Sequence, residues 1–250
     1  MRARAWCDKP MGGRSKDILI INPNTTVSMT AKIGEAARSA ARPESRITAI
    51  NPATGPAAIQ GAEDGEAALP GLFSLVDEVA ASHRNFDALI IACFDDTGLW
   101  TLKQRFDLPV LGIGEAAYHT AALFAERFTV VTTLPVSIPV LEGNLERMGL
   151  AHRCSRVRAS DIPVLDLEDG DRRVWRKIHA EIAEALEQDD CGAIALGCAG
   201  MANLAHELSL EFKVPVIDGV AAAVRLAEVM LDADCSSTDP AGVLATAPGA

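Results

Sequence analysis

Ile90-Ile91-Ala92-Cys93-Phe94-Asp95-Asp96-Thr97-Gly98 decides how this chain is read. An apolar run stops at a cysteine, and the residues after the cysteine favour turns and helix starts. About a hundred residues later the arrangement returns in Ala195-Leu196-Gly197-Cys198-Ala199-Gly200-Met201. Each run reads as a buried strand with a thiol at its carboxyl end. Ligands of open parallel sheets bind outside the carboxyl ends of the strands. Two thiols at two such ends point to one pocket with two proton carriers.

Outward from these motifs, strands and helices alternate. Asp17-Ile18-Leu19-Ile20-Ile21 reads as a strand, stopped by Asn22-Pro23-Asn24-Thr25-Thr26. Proline cannot continue a ladder, and Asn and Thr favour turns and helix caps. The pattern then predicts a helix over 27–41, a strand over 46–51, a helix over 67–82 and the Cys93 strand over 88–92. A helix over 98–106, a short strand over 108–112 and a helix over 115–127 follow. At Phe128 the order restarts: strand 128–133, helix 136–148, strand 155–159, helix 172–187, the Cys198 strand 193–197, helix 201–210, strand 214–217 and helix 219–231. Phe106-Asp107-Leu108-Pro109-Val110 matches Phe212-Lys213-Val214-Pro215-Val216. This is a duplication with a long period, not a solenoid.

The expected fold is therefore α/β, with two pseudo-symmetric lobes, each a parallel sheet flanked by helices, and the active site in the cleft between them. The expected organisation is a flexible arm over 1–16, lobe 1 over 17–118, lobe 2 over 119–232 and a loose tail over 233–250. The chain ends are free to cross over between lobes.

The chain has 250 residues, 49% hydrophobic and 23% charged, which is ordinary globular composition with ample material for a core. Its net charge of -11 disfavours nucleic acid as a partner. No run approaches the roughly 18 apolar residues of a membrane helix. The basic N-terminal stretch lacks the apolar centre of a secretory signal. Six cysteines in a chain of this kind read as reduced thiols in the cytoplasm. Cys7, Cys154, Cys191 and Cys235 lack the setting of the other two.

A thiol suits both halves of an inversion at a carbon acid. One face needs a base and the other an acid, and the ordinary cysteine pKa of about 8.5 lies close to neutrality. Exposed N–H groups at a following helix start favour the thiolate and an enolate oxygen alike. Asn22, Thr132 and Thr133 end the first strand of each lobe and offer further hydrogen bonds. Asp95 and Asp96 read equally well as partners of substrate N–H groups or as helix N-caps.

These motifs resemble the aspartate/glutamate racemase superfamily, in particular its hydantoin and allantoin racemase branch. The resemblance is carried by Ile21-Asn22-Pro23-Asn24-Thr25, Gly55-Pro56-Ala57-Ala58-Ile59-Gln60-Gly61 and the two cysteine motifs. It implies a cofactor-independent racemase acting through an enolate, with Cys93 and Cys198 as the acid/base pair. It also implies a homo-oligomer. Amino-acid racemases of the superfamily carry Cys-Asn-Thr and Cys-Thr-His around their thiols. Phe94 and Asp95 after Cys93, and Ala199 and Gly200 after Cys198, favour a neutral hydantoin-like ring instead. A maleate isomerase-like enzyme, an amino-acid racemase and a non-catalytic small-molecule binding module are the alternatives.

Two signals are set aside. Gly112-Ile113-Gly114-Glu115-Ala116-Ala117 has the glycine spacing of a dinucleotide fingerprint, but the next strand ends in Thr132-Thr133 rather than an acid. The five histidines lack zinc-ligand spacing, so no metal is expected.

Overall fold

The computed structural model describes residues 15–82, 85–168 and 171–233. Most of the expected arm and tail, with Cys7 and Cys235, lies outside these residues. Lys16, placed in the arm, is instead the first residue of a strand.

The first sheet is built from β1 (Lys16–Ile21), β2 (Ser45–Ile50), β3 (Ala88–Ile91) and β4 (Val110–Gly112). Its helices are α1 (Val27–Ala40), α2 (Ala62–Ala81), α3 (Leu99–Arg105) and α4 (Ile113–Phe124). The second sheet comprises β5 (Phe128–Thr132), β6 (Cys154–Ala159), β7 (Ala193–Gly197) and β8 (Val216–Asp218). It is accompanied by α5 (Ile138–Arg147), α6 (Arg172–Gln188), α7 (Ala205–Phe212) and α8 (Gly219–Asp232). All pairings are parallel. The strand orders are β2-β1-β3-β4 and β6-β5-β7-β8, one pattern used twice. The α/β fold of two four-stranded parallel sheets is thus the one expected.

Parallel strands covered on both faces need apolar residues throughout, which explains the unbroken runs in β1, β3 and β7. Their alternate residues separate two kinds of core. Leu19, Ile21, Leu89 and Ile91 face an outer core with Leu72, Val76, Leu99 and Leu102. Val131, Ile194 and Leu196 face another with Ile178, Ile182 and Leu208. The opposite faces share a third core: Ile18, Ile20 and Ile90 from one sheet join Phe128, Val130 and Ala195 from the other. Between them lie Ala116, Ala117 and Tyr118 of α4 and Val220, Ala223 and Val224 of α8. The alanine content therefore serves a middle helix layer in which helices approach closely.

The position expected as the lobe boundary, 118/119, lies inside α4, a helix of this middle layer. The far end of α8 also reaches lobe 1. Glu228, fully buried, accepts from the Arg42 N–H and from Ser45 Oγ, both at 2.7 Å. Near it, Asp232 pairs with Lys16 and with Arg42.

Several element boundaries differ from the expected ones. α2 begins at Ala62, not at 67. The Asp64 carboxylate accepts the Gln60 N–H at 3.0 Å and secures that early start. Pro70 lies inside α2 at an exposed position. The helix expected from 201 is 3-10 over Ala199–Leu204 and becomes α-helical only at Ala205.

α4 and α8 meet at their amino ends. A Cβ on Gly219 would lie 2.5 Å from the Ile113 carbonyl oxygen, inside any allowed contact. Gly219→Ala is expected to force the two helices apart and lower stability by about 1–3 kcal/mol. A lower urea midpoint with an unchanged slope would show it; an unchanged midpoint would refute the close-contact account.

Candidate active site

In each sheet the chain leaves the first strand for one edge and then returns to add strands on the other side. That reversal makes a crevice at the carboxyl ends of β1 and β3, and an equivalent one at β5 and β7. The residues after these four strand ends converge. Asn22 and Asn24 follow β1, Cys93 and Asp95 follow β3, Thr133 follows β5 and Cys198 follows β7, and all line one cavity between the sheets. Met29, Ile59, Ala92, Phe94, Val164 and Ala199 add apolar wall, and Ser137 and Gly197 complete the lining. No lysine, arginine or histidine lines it among the described residues.

The β1 turn is locked by its own amides. Asn22 Nδ2 donates to Asn24 Oδ1 at 2.8 Å and to Thr30 Oγ1 at 3.0 Å. Asn24 Oδ1 also accepts the Thr26 N–H at 2.9 Å, at the entry to α1. The two loops over the cavity are tied across the cleft, where the Val164 N–H donates to Gln60 Oε1 at 3.0 Å. Gly61, with φ +88°, has no room for a Cβ, which would lie 2.7 Å from the Val136 carbonyl oxygen.

Cys93, Cys154, Cys191 and Cys198 carry thiols, not disulfides. Thr97 Oγ1 donates to Cys93 Sγ at 3.6 Å, and the Asp95 N–H also faces the sulfur. Both favour a thiolate. Burial outweighs them and, with the nearby Asp95 charge, pushes the Cys93 thiol well above its ordinary range. Cys198 contributes a smaller push in the same direction, so the two sulfurs sense each other across the cavity.

The paired acids after Cys93 divide their work. Asp96 turns away from the cavity in a left-handed conformation with φ +52°, which aspartate tolerates better than most residues. Its carboxyl accepts the Gly114 N–H at 3.0 Å and the Glu115 N–H at 2.7 Å, and so caps α4, not the helix beside it. Lobe 2 shows why. Asp218, at the end of β8, caps α8 from its own position by accepting the Val220 and Ala221 N–H groups at 2.9 and 3.0 Å. The Phe-x-x-Pro-Val match places Gly112 opposite Asp218, and glycine has no carboxyl. Asp96 supplies it from the next strand's loop. A Cβ on Gly112 would sit 1.9 Å from Asp96 Oδ1, so this glycine makes room for the cap. The apparent dinucleotide fingerprint has that explanation.

Asp95 stays at the cavity. Burial lifts its carboxyl to about 7, helped by the Asp64 charge and opposed by the Gly61 N–H. Asn144 Nδ2, from α5, donates to its main-chain oxygen at 2.9 Å and fixes the loop against lobe 2.

Of the residues expected at the site, Cys93, Cys198, Asn22, Phe94, Asp95, Thr133 and Ala199 line the cavity. The Phe94 ring packs edge-on against Tyr118 with centroids 5.3 Å apart, so it also belongs to the middle layer. Thr132 and Gly200 do not line it. The Thr132 hydroxyl is buried and donates to the Gly197 carbonyl at 3.1 Å. Gly200 lies in the 3-10 segment against Leu167. Sequence reasoning missed Asn24, Met29, Ile59, Ser137 and Val164 as lining residues. Asn24 stood inside the quoted Asn-Pro-Asn-Thr turn, and Ile59 inside the Gly55–Gly61 loop.

A two-lobed α/β fold whose duplicated strand ends bring two thiols into one cavity defines a class, and the comparisons agree. The chain matches the Asp/Glu/hydantoin racemase family over residues 18–227 and belongs to it. It is 42% identical over 216 residues to a hydantoin racemase of Rhizobium meliloti, covering 86% of this chain and 89% of that one. It is 40% identical over 215 residues to a hydantoin racemase of Pseudomonas sp. (strain NS671), covering 86% of each. The solved allantoin racemase from Klebsiella pneumoniae superposes with a TM-score of 0.83 at 40% identity, covering 87% of this chain and 88% of that one.

A thiol held well above its ordinary range is protonated at neutrality and becomes nucleophilic only as pH rises. Iodoacetamide labelling of Cys93, followed by mass spectrometry, is therefore expected to be slow at pH 7 and to accelerate steadily beyond pH 9. A labelling rate already at its plateau by pH 7 would contradict the burial argument.

Proposed function

We propose that this protein racemises 5-substituted hydantoins or allantoin without a cofactor, using Cys93 and Cys198 as the acid/base pair. The observation that carries this reading is the lining of one cavity by the two thiols from equivalent strand ends of the two lobes. The names of the similar proteins, hydantoin and allantoin racemases, support the ring as substrate.

The chemistry follows from the placement. A thiolate on one face removes the proton from the ring carbon between carbonyl and nitrogen. The electron pair moves into the adjacent carbonyl and forms an enolate. The opposite thiol returns a proton to the other face, and the two sulfurs exchange protonation states. No electron is gained or lost. The high-lying Cys93 thiol is the resting proton donor in this scheme. Among the described residues no cationic side chain lines the cavity, which suits a neutral ring better than a dicarboxylate such as glutamate or maleate. Among the described residues no group of three or more His, Cys, Asp or Glu side chains is placed to hold a metal ion.

Reduced thiols at the described cysteines fit a cytoplasmic enzyme. Among the described residues no helix is long and apolar enough to cross a membrane. Leu123 and Phe124, 83% and 64% exposed at the end of α4, favour association of further copies. Sedimentation is expected to show a homo-oligomer; a monomer at micromolar concentration would refute this part.

Cys93→Ala and Cys198→Ala are each expected to lower racemisation by at least about 1000-fold, since each removes one half of the proton transfer. Circular dichroism should remain that of the wild type. In deuterated water the wild type is expected to place one deuterium at the ring carbon per inversion. Full activity in either variant would end the two-thiol scheme.

A further inference from the structure

Asp95 poses a question that the two-thiol scheme leaves open. Its Oδ2 atom is buried and has no hydrogen-bond partner. A buried polar atom left unpaired costs about 1–3 kcal/mol, and more if it is charged. The residue lines the cavity, stands two positions from Cys93, and is fixed from three sides. The Gly61 N–H faces its carboxyl, Asn144 holds its main-chain oxygen, and the Asp96 cap anchors the next residue to α4. A side chain held this firmly with one idle oxygen at a cavity is suited to a ligand atom.

Its surroundings select the protonation state. Asp64 of α2, Cys93 and Asp96 of its own loop, and Tyr118 of α4 lie within its electrostatic reach. None of them is cationic; burial is the largest influence and, with the Asp64 charge, favours an uncharged carboxyl against the opposing Gly61 N–H. An uncharged carboxyl is a donor. With the Gly61 N–H directed at the carboxyl, the idle oxygen carries the proton that seeks an acceptor. A thiolate forming nearby strengthens that state, because two adjacent negative charges repel.

We propose that neutral Asp95 donates its Oδ2 hydrogen to the ring carbonyl that becomes the enolate oxygen, and so stabilises the intermediate between the two thiols. This rests on the hydantoin or allantoin racemase reading. The proton stays on Asp95 throughout; the thiols alone exchange protons with carbon. A carboxylic acid kept neutral by its apolar site is an effective donor to an enolate in a dry pocket.

The test compares the wild type, Asp95→Ala and Asp95→Asn with enantiopure 5-isopropylhydantoin and with allantoin, over pH 5.5 to 9. Asparagine keeps both an acceptor for Gly61 and a donor for the carbonyl, but it does not ionise. Asp95→Ala is expected to lower kcat about 100-fold or more with a smaller change in KM. Asp95→Asn is expected to hold kcat within about 10-fold, because its amide still donates. The wild type should lose activity as pH rises through about 7, where the carboxyl ionises, and Asp95→Asn should lack that fall. If Asp95→Ala does not fold, the nearly isosteric Asp95→Asn profile decides alone. Wild-type kcat in Asp95→Ala, or a fall near pH 7 retained in Asp95→Asn, would overturn the proposal and leave the two-thiol scheme intact. A wild type that racemises neither ring would overturn the underlying reading itself.

Discussion

The carboxyl of Asp96 is the constraint on which the site depends. It reaches out of the Cys93 loop and caps α4 through the Gly114 and Glu115 N–H groups. That helix belongs to the middle layer shared by the two sheets. The loop bearing one thiol is thereby fastened to the element that joins the lobes. A shift of α4 would move Cys93 relative to Cys198, so packing and the spacing of the two thiols share one anchor. The left-handed backbone at Asp96 and the bare Gly112 both serve it.

Around that anchor the two lobes are similar without being equal. Both use the same strand order, and both put a thiol after the third strand of the lobe. Lobe 2 caps its last helix with Asp218 from its own strand end, whereas lobe 1 borrows Asp96. The borrowed cap explains why Asp96 follows Cys93 while no acid stands at the matching place after Cys198. It also brings a second acid, Asp95, to the cavity on one side only. A racemase must treat two mirror-related substrates, yet its walls are chemically different.

Much of the fold was legible from local pattern. Strands covered on both faces must be apolar throughout, so Ile18–Ile21, Ala88–Ile91 and Ala193–Gly197 announced themselves. The recurrence of Cys93 and Cys198 at one point of a duplicated order marked them as a pair. Helix boundaries were less legible where distant atoms set them. The early start of α2 depends on a reach-back from Asp64, and glycine and proline inside it mask the helical pattern. Met29 reaches the cavity from a helix and Ser137 and Val164 from 3-10 turns, and nothing in their neighbours' sequence says so.

By itself the sequence determined the alternation of strands and helices, the duplication, the two thiols at strand ends and the resemblance to racemases. These follow from hydrophobic period and from residue type at turns, both local properties. The tertiary structure decided which face of each lobe meets the other, which of Asp95 and Asp96 looks into the cavity, and that Thr132 and Gly200 stand behind it. Those outcomes depend on contacts between residues far apart in the chain. A carboxyl that caps a helix 18 residues away leaves no periodic signature, and only the packed middle layer shows which acid was left facing the cavity.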